Sequence, residues 1–255
     1  MTRLITVSGG KGGVGKTTVT SNLGYALSEF GIDAVVVDAN LTNPNLGFHL
    51  GVPLYPVTLH DVLRDDAHIT EATYVHNSGL RVVPAGISVD DLKDTSPERL
   101  KDVIHDTVGE PDIVLIDSAA GLGNEALNTL EASDELLLVT NPDLPSVTDA
   151  LKTSSIAEEA GTHVLGTVLN RHSGQDHELT PEEVEDMVGH PVVSVVPEED
   201  VVKQSITNKT TVLDHEPDHH VSHKFRGLAA DIAGLDYEVP SRGMFQRFKD
   251  MLGLK

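Results

Sequence analysis

None of the 255 residues is a cysteine, which excludes disulfides, thiolate zinc sites and cysteine-ligated iron–sulfur clusters. Basic residues are scarce: 18 Lys and Arg stand against 40 Asp and Glu, a formal charge of −22. Such a field repels DNA phosphate unless a local basic patch overrides it, which speaks against nucleic acid as a partner. The acids are spread along the chain instead of forming one tail, as in the hydrated proteins of salt-in organisms such as haloarchaea; a basic partner is the other reading. Long apolar runs are missing too. No stretch reaches the roughly 18 residues of a membrane-spanning helix. Met1-Thr2-Arg3 leads into only a short apolar run before Gly9-Gly10, too short for a secretory leader, so a cytoplasmic location is expected. Neither a solenoid-length repeat nor a low-complexity tract is apparent.

What the chain does have is enough apolar residue, 39%, for one sizeable core. Short β-branched runs at residues 4–7, 34–38, 80–83, 113–117, 136–140, 164–169 and 192–196 alternate with helical patterns. Continuously apolar strands between amphipathic segments predict an α/β fold, a doubly wound and mostly parallel sheet of seven to eight strands with helices on both faces. Ligands of such folds bind at the carboxyl ends of the strands. The main domain is expected over residues 1–240, with an acidic, histidine-bearing stretch at 215–223 and a helix at 224–233. Those histidines follow no firm metal-ligand spacing.

The strongest signal is Gly10-Lys11-Gly12-Gly13-Val14-Gly15-Lys16-Thr17, which fits G-x-x-x-x-G-K-[ST] between a predicted strand and a predicted helix. Glycines let the backbone wrap so that its N–H groups face phosphate oxygens, and the helix N-terminus adds partial positive charge. Lys16 is expected on the β- and γ-phosphates, the Thr17 hydroxyl on Mg²⁺, and Thr18 near the α-phosphate. The ligand implied is ATP with Mg²⁺.

Lys11-Gly12-Gly13-Val14-Gly15-Lys16-Thr17-Thr18 also resembles the deviant Walker A motif K-G-G-x-G-K-T-T of the MinD/ParA superfamily. The resemblance implies that Lys11 reaches the partner's phosphates across an ATP-dependent homodimer, as an arginine finger does. Asp38-Ala39-Asn40 corresponds to the family's D-x-D switch I motif, so Asp38 should face the metal and the attacking water. The second acid is an amide here. Asn40 can orient water but implies slow turnover. Asp117 closes the apolar run Ile113-Val114-Leu115-Ile116, as a Walker B aspartate does, and is expected to hold the Mg²⁺ shell through water or Thr17; Ser118-Ala119-Ala120-Gly121 resembles switch II without its proline. Thr140-Asn141-Pro142-Asp143, Leu169-Asn170-Arg171 and Val196-Pro197-Glu198-Glu199-Asp200 extend the likeness through most of residues 1–214. By resemblance Asn170 bonds adenine and Arg171 and Pro197 pack near it; ordinary strand-end turn chemistry is the alternative.

Residues 241–255 contrast with the rest, placing Met244, Phe245, Phe248, Met251 and Leu252 on one helical face with Arg247 and Lys249 beside it. The segment resembles a membrane-targeting helix. Burial of five such side chains gives at most roughly 7 to 10 kcal/mol, less the cost of ordering a short helix. One copy then binds a lipid interface weakly and two copies on a dimer gain avidity; packing on the protein's own core or on a partner protein is the other reading. The resemblance implies a MinD-like switch with an unidentified protein partner that positions cellular machinery: a division site, motility or chemosensory apparatus. Two alternatives remain. One is a ParA-like partitioning ATPase, the other a nucleotide-binding adaptor with little hydrolysis.

Overall fold

The computed structural model describes residues 2–51, 55–93, 95–105 and 111–239. The amphiphilic segment carrying Met244, Phe245, Phe248, Met251 and Leu252 lies outside the described residues, as does the proposed boundary at residue 240.

Among the described residues eight strands form one sheet: β1 (Arg3–Ser8), β2 (Ala34–Asp38), β3 (Tyr74–Val75), β4 (Arg81–Val83), β5 (Ile113–Asp117), β6 (Glu135–Thr140), β7 (His163–His172) and β8 (Val192–Pro197). Their order is β3-β4-β2-β5-β1-β6-β7-β8. Every pairing is parallel except β3 with β4. The α-helices among the described residues are α1 (Lys16–Glu29), α2 (Leu46–His49), α3 (Leu59–Leu63), α4 (Leu100–His105), α5 (Asn124–Glu131), α6 (Leu144–Ala160), α7 (Pro181–Val188), α8 (Asp200–Thr207), α9 (Val212–His215) and α10 (His220–Ala233).

The central strands are apolar throughout because both of their faces are covered. Every residue of β2 and of β5 is buried. On one face Val19, Leu23 and Leu27 of α1 pack with Val36, Leu115 and Val139 under Phe225 and Leu228 of α10. On the other, Val35, Val37, Val114 and Ile116 meet Leu59, Leu63 and Ile104, and beyond them α6 and α7 cover Leu136, Leu138 and Leu169. The chain leaves β1 for β2 on one side and crosses to β6 on the other, so β1 lies at the point where the winding reverses, where such sheets open a ligand crevice.

Local chemistry sets the helix ends. The Asp143 carboxylate caps α6 by accepting from the Ser146 amide at 3.0 Å, with Pro145 in the first turn and Gly161 in the left-handed conformation at the other end. α7 has a capping box between Thr180 and Glu183. Two elements differ from the sequence expectation. β3 is only two residues long and turns back antiparallel onto β4 through His76 to Gly79, too short for a periodic pattern to register. α10 begins at His220 and not near Lys224, because the His219 ring caps it, accepting from the Val221 amide at 3.3 Å. Among the described residues no helix is long and apolar enough to cross a membrane, and no group of His, Asp and Glu forms a metal cluster of three or more.

Candidate nucleotide site

The carboxyl end of β1 runs into the glycine loop, which delivers the chain to α1. Gly15 holds φ 100° as the residue before α1, a left-handed conformation that a side chain would strain. A Cβ there would also overlap the Asn170 amide. Asn170, at the end of β7, donates from Nδ2 to the Val14 carbonyl at 2.7 Å. The expected adenine residue therefore also braces the phosphate loop. Gly10 lies so close to α6 that a Cβ would come within 2.5 Å of the Asp149 carbonyl oxygen.

Behind the loop, the phosphate-end side chains are buried. Lys16 is 7% exposed, with Nζ 3.5 Å from the Lys11 carbonyl; burial lowers its pKa while the Asp117 charge opposes the shift. The β2–β5 register sets Asp38 directly beside Asp117, and the two are 1% and 0% exposed. Asp117 accepts from the Thr17 hydroxyl at 2.6 Å and from Thr20 at 3.3 Å. Asp38 accepts from the Asn45 and Leu46 amides at 3.1 and 3.0 Å, and from the Asn40 amide at 3.3 Å. Burial raises the pKa of both carboxylates, and the Asp117 charge adds to the rise at Asp38. Two adjacent buried acids and a threonine hydroxyl are an all-oxygen donor set that a hard divalent cation would satisfy, replacing the proton that burial favours. Thr17, Asp38 and Asp117 thus come together as the sequence predicted, and their chemistry fits Mg²⁺.

In front of the loop lies an open cleft of about 800 Å³. Gly12, Gly13, Gly15, Lys16, Thr17 and Thr18 form its floor. One wall is the segment after β2, where the Asn40 side chain accepts from the Asn43 amide at 3.3 Å and so shapes the turn. The facing wall is the segment after β5, from Ala119 to Ala126. Glu125 in the first turn of α5 accepts hydrogen bonds from the Thr42 hydroxyl and, at 3.5 Å, from the Thr42 amide, tying the two walls together. Sequence reasoning missed Thr42 and Glu125, because their pairing spans 83 residues. It also missed His49, which lines the same cleft and whose pKa is pushed down to about 4 by burial.

Lys11 is placed at the loop's outer edge, its side chain 47% exposed. Nζ lies 3.7 Å from Asp143 Oδ1 and 3.5 Å from the Ser146 hydroxyl, both at the start of α6 in the same chain. At the far end of the cleft, Thr18, Asn170, Arg171, Pro197, Val202 and Ile206 line one small recess, so the three residues expected near a base converge. Arg171 has φ 58° at an irregularity of the β7–β8 pairing, and its Nε lies 3.7 Å from Glu198 Oε2. The opposite oxygen of Glu198 is 2.8 Å from Lys203 of α8.

Known proteins are similar to this chain in sequence and in fold. The family model described as the CobQ/CobB/MinD/ParA nucleotide binding domain matches residues 5–212. An uncharacterized ATP-binding protein of Methanocaldococcus jannaschii is 37% identical over 238 residues, 92% of this chain and 89% of that protein. The septum site-determining protein MinD of Thermotoga maritima is 30% identical over 267 residues, 98% of this chain and 97% of its own length. Among solved structures, the septum site-determining protein MinD of Pyrococcus horikoshii, complexed with Mg-ADP, superposes with a TM-score of 0.88 at 35% identity, covering 91% of this chain and 96% of that one.

Proposed function

The chain belongs to the CobQ/CobB/MinD/ParA family of nucleotide-binding proteins, and from that membership we propose that it is a MinD-like ATPase switch, closing as an ATP-bound homodimer and resetting by slow hydrolysis. The observation that carries this reading is the junction of β1 with α1: a left-handed Gly15, a buried Lys16 and a Thr17 hydroxyl on Asp117, all facing an open cleft. Lys16 binds the β- and γ-phosphates and stabilises the charge that grows on them as the terminal bond lengthens. Thr17, Asp38 and Asp117 hold Mg²⁺, directly or through water; when bound, Mg²⁺ neutralises phosphate charge and fixes the triphosphate's orientation. Asn170, Arg171 and Pro197 form the wall that meets the base, and the bond from Asn170 to Val14 links base occupancy to loop geometry.

Lys11 supports the dimeric part of the reading. Its contacts to Asp143 and Ser146 are long and partly exposed, and exposed ion pairs contribute less than about 1 kcal/mol. Little is lost when the ammonium turns outward to a partner's phosphates. Residues 241–255 are proposed to add reversible membrane contact that two copies strengthen. The Mg-ADP complex of the Pyrococcus horikoshii relative supports the same ligand here, and the septum-site name of the Thermotoga maritima relative supports a role in placing cellular machinery.

The test is steady-state turnover and light scattering of the purified chain in high salt with ATP, with ADP and without nucleotide, using Lys16→Ala as blank. Turnover above the blank together with an ATP-specific dimer supports the switch. ATP binding by a monomer with no turnover replaces it by the adaptor reading, to which the amide at Asn40 lends support.

A further inference from the structure

Asn40 leaves the cleft without the second acid of its own strand-end segment, yet one carboxylate reaches the cleft from the opposite wall. Among the described residues lining the cleft, Glu125 is the only Asp or Glu; Asp38 and Asp117 lie buried at the strand ends. Glu125 is brought to the rim by α5, whose first turn follows directly on the segment after Asp117. Its carboxylate is then held by Thr42, which presents both hydroxyl and amide to it. Thr42 belongs to the turn that Asn40 shapes by accepting from Asn43, so amide and carboxylate face the cleft from two walls that Thr42 ties together. They are not chemically equivalent. An amide oxygen accepts a hydrogen bond from water but does not take its proton at neutral pH, whereas a carboxylate does both.

We infer that Glu125 is the carboxylate that orients and deprotonates the attacking water during ATP hydrolysis, in place of the acid absent at Asn40, with Thr42 as its positioning residue. The inference rests on the ATPase reading above. In the step, the water oxygen forms a bond to the γ-phosphorus while the bond from that phosphorus to the β–γ bridging oxygen breaks. The electron pair leaves on ADP, and the water's proton passes to the Glu125 carboxylate and from there to the released phosphate, which regenerates the base. Asn40 acts as an acceptor that helps aim the water, a role an amide fills without changing charge.

The test uses the full chain and four variants: Glu125→Gln, the double variant Glu125→Gln with Asn40→Asp, Thr42→Val, and Lys16→Ala as blank. Four quantities are read: kcat and KM for ATP, the affinity for a fluorescent ADP analogue, and the identity of the nucleotide recovered from the protein after a single-turnover incubation. Glu125→Gln keeps the size and the hydrogen-bonding partners of the side chain but loses the base, so kcat is expected to fall roughly 100-fold with KM and ADP-analogue affinity within about twofold. The nucleotide recovered then changes from ADP to ATP. Adding Asn40→Asp is expected to restore at least about a third of the lost rate, and Thr42→Val to lower kcat by roughly three- to tenfold with affinity unchanged. Glu125→Gln turning over like the wild type overturns the inference, as does a loss of rate matched by an equal loss of ADP-analogue affinity, or a loss that Asn40→Asp does not repair. A wild-type rate no higher than the Lys16→Ala blank overturns the ATPase reading and this inference with it.

Discussion

The charged side chains behind the phosphate loop and those at the base end of the cleft are in opposite states. At the phosphate end Lys16, Asp38 and Asp117 are almost wholly removed from water, in positions that the strand register and the loop set. At the base end the Arg171, Glu198 and Lys203 side chains lie 34 to 62% exposed, in contacts that solvent screens. Buried charges depend on position, because each loses hydration that only a correctly placed partner or ligand returns. Exposed ones tolerate error. The first end should thus fail sharply when altered and the second should fade gradually.

The largest expected effect is at Lys16. Lys16→Ala removes a buried cation from the floor of the cleft and leaves the neighbouring Asp117 charge less compensated. We expect the dissociation constant for a fluorescent ADP analogue with Mg²⁺ to rise roughly 100-fold, since losing a charge-assisted contact in a water-poor site removes about 3 kcal/mol. A rise of only two- or threefold in a fluorescence titration would erase the contrast between the two ends.

His49 gives the next largest effect and tests burial along the cleft wall. Its folded-state pKa lies near 4 because burial disfavours the imidazolium, whereas an unfolded chain has it near 6.5. Between these values the unfolded state takes up a proton that the folded state refuses, so stability falls as pH drops from about 6.5 toward 4. From pH 7 to pH 5 that amounts to about 2 kcal/mol. Chemical denaturation at the two pH values should show this loss in the wild type and a smaller one, by about that amount, in His49→Gln. Equal losses would mean that His49 is hydrated in the folded protein.

The same contrast governs how much was legible in the sequence. The phosphate loop is a local pattern: eight consecutive residues set its turn, its cation and its hydroxyl, and the flanking strand and helix follow from their own periodicity. Asp38 and Asp117 were legible because each ends a continuously apolar run, and the parallel register then makes them neighbours. The hydrogen bond from Asn170 to Val14, the contacts of Lys11 with Asp143 and Ser146 and the pairing of Thr42 with Glu125 join residues far apart in the chain. No local spacing encodes such pairs, since they arise only once the sheet order is fixed. Asp143 shows the division most clearly: its helix-capping role is written in the three residues that follow it, while its proximity to Lys11 is not.

The smallest expected effect is at Arg171, where backbone and side chain make separate demands. The residue holds φ 58°, a conformation that costs about 1 kcal/mol or more for any residue but glycine and is imposed by the irregular β7–β8 pairing. The side chain reaches Glu198 only at 3.7 Å and is 52% exposed, while Glu198 keeps its closer contact with Lys203. Arg171→Ala should therefore weaken binding of the ADP analogue by less than about threefold and move the melting temperature by no more than about 2 °C. Arg171→Gly should be at least as stable as Arg171→Ala, because relieving a backbone strain of about 1 kcal/mol or more at φ 58° at least matches the cost of about 0.5–1 kcal/mol from glycine's greater freedom in the unfolded chain. A tenfold loss of affinity in both variants, measured by the same titration, would show the guanidinium to be as strictly placed as Lys16, and exposure would then no longer separate the two ends of the cleft.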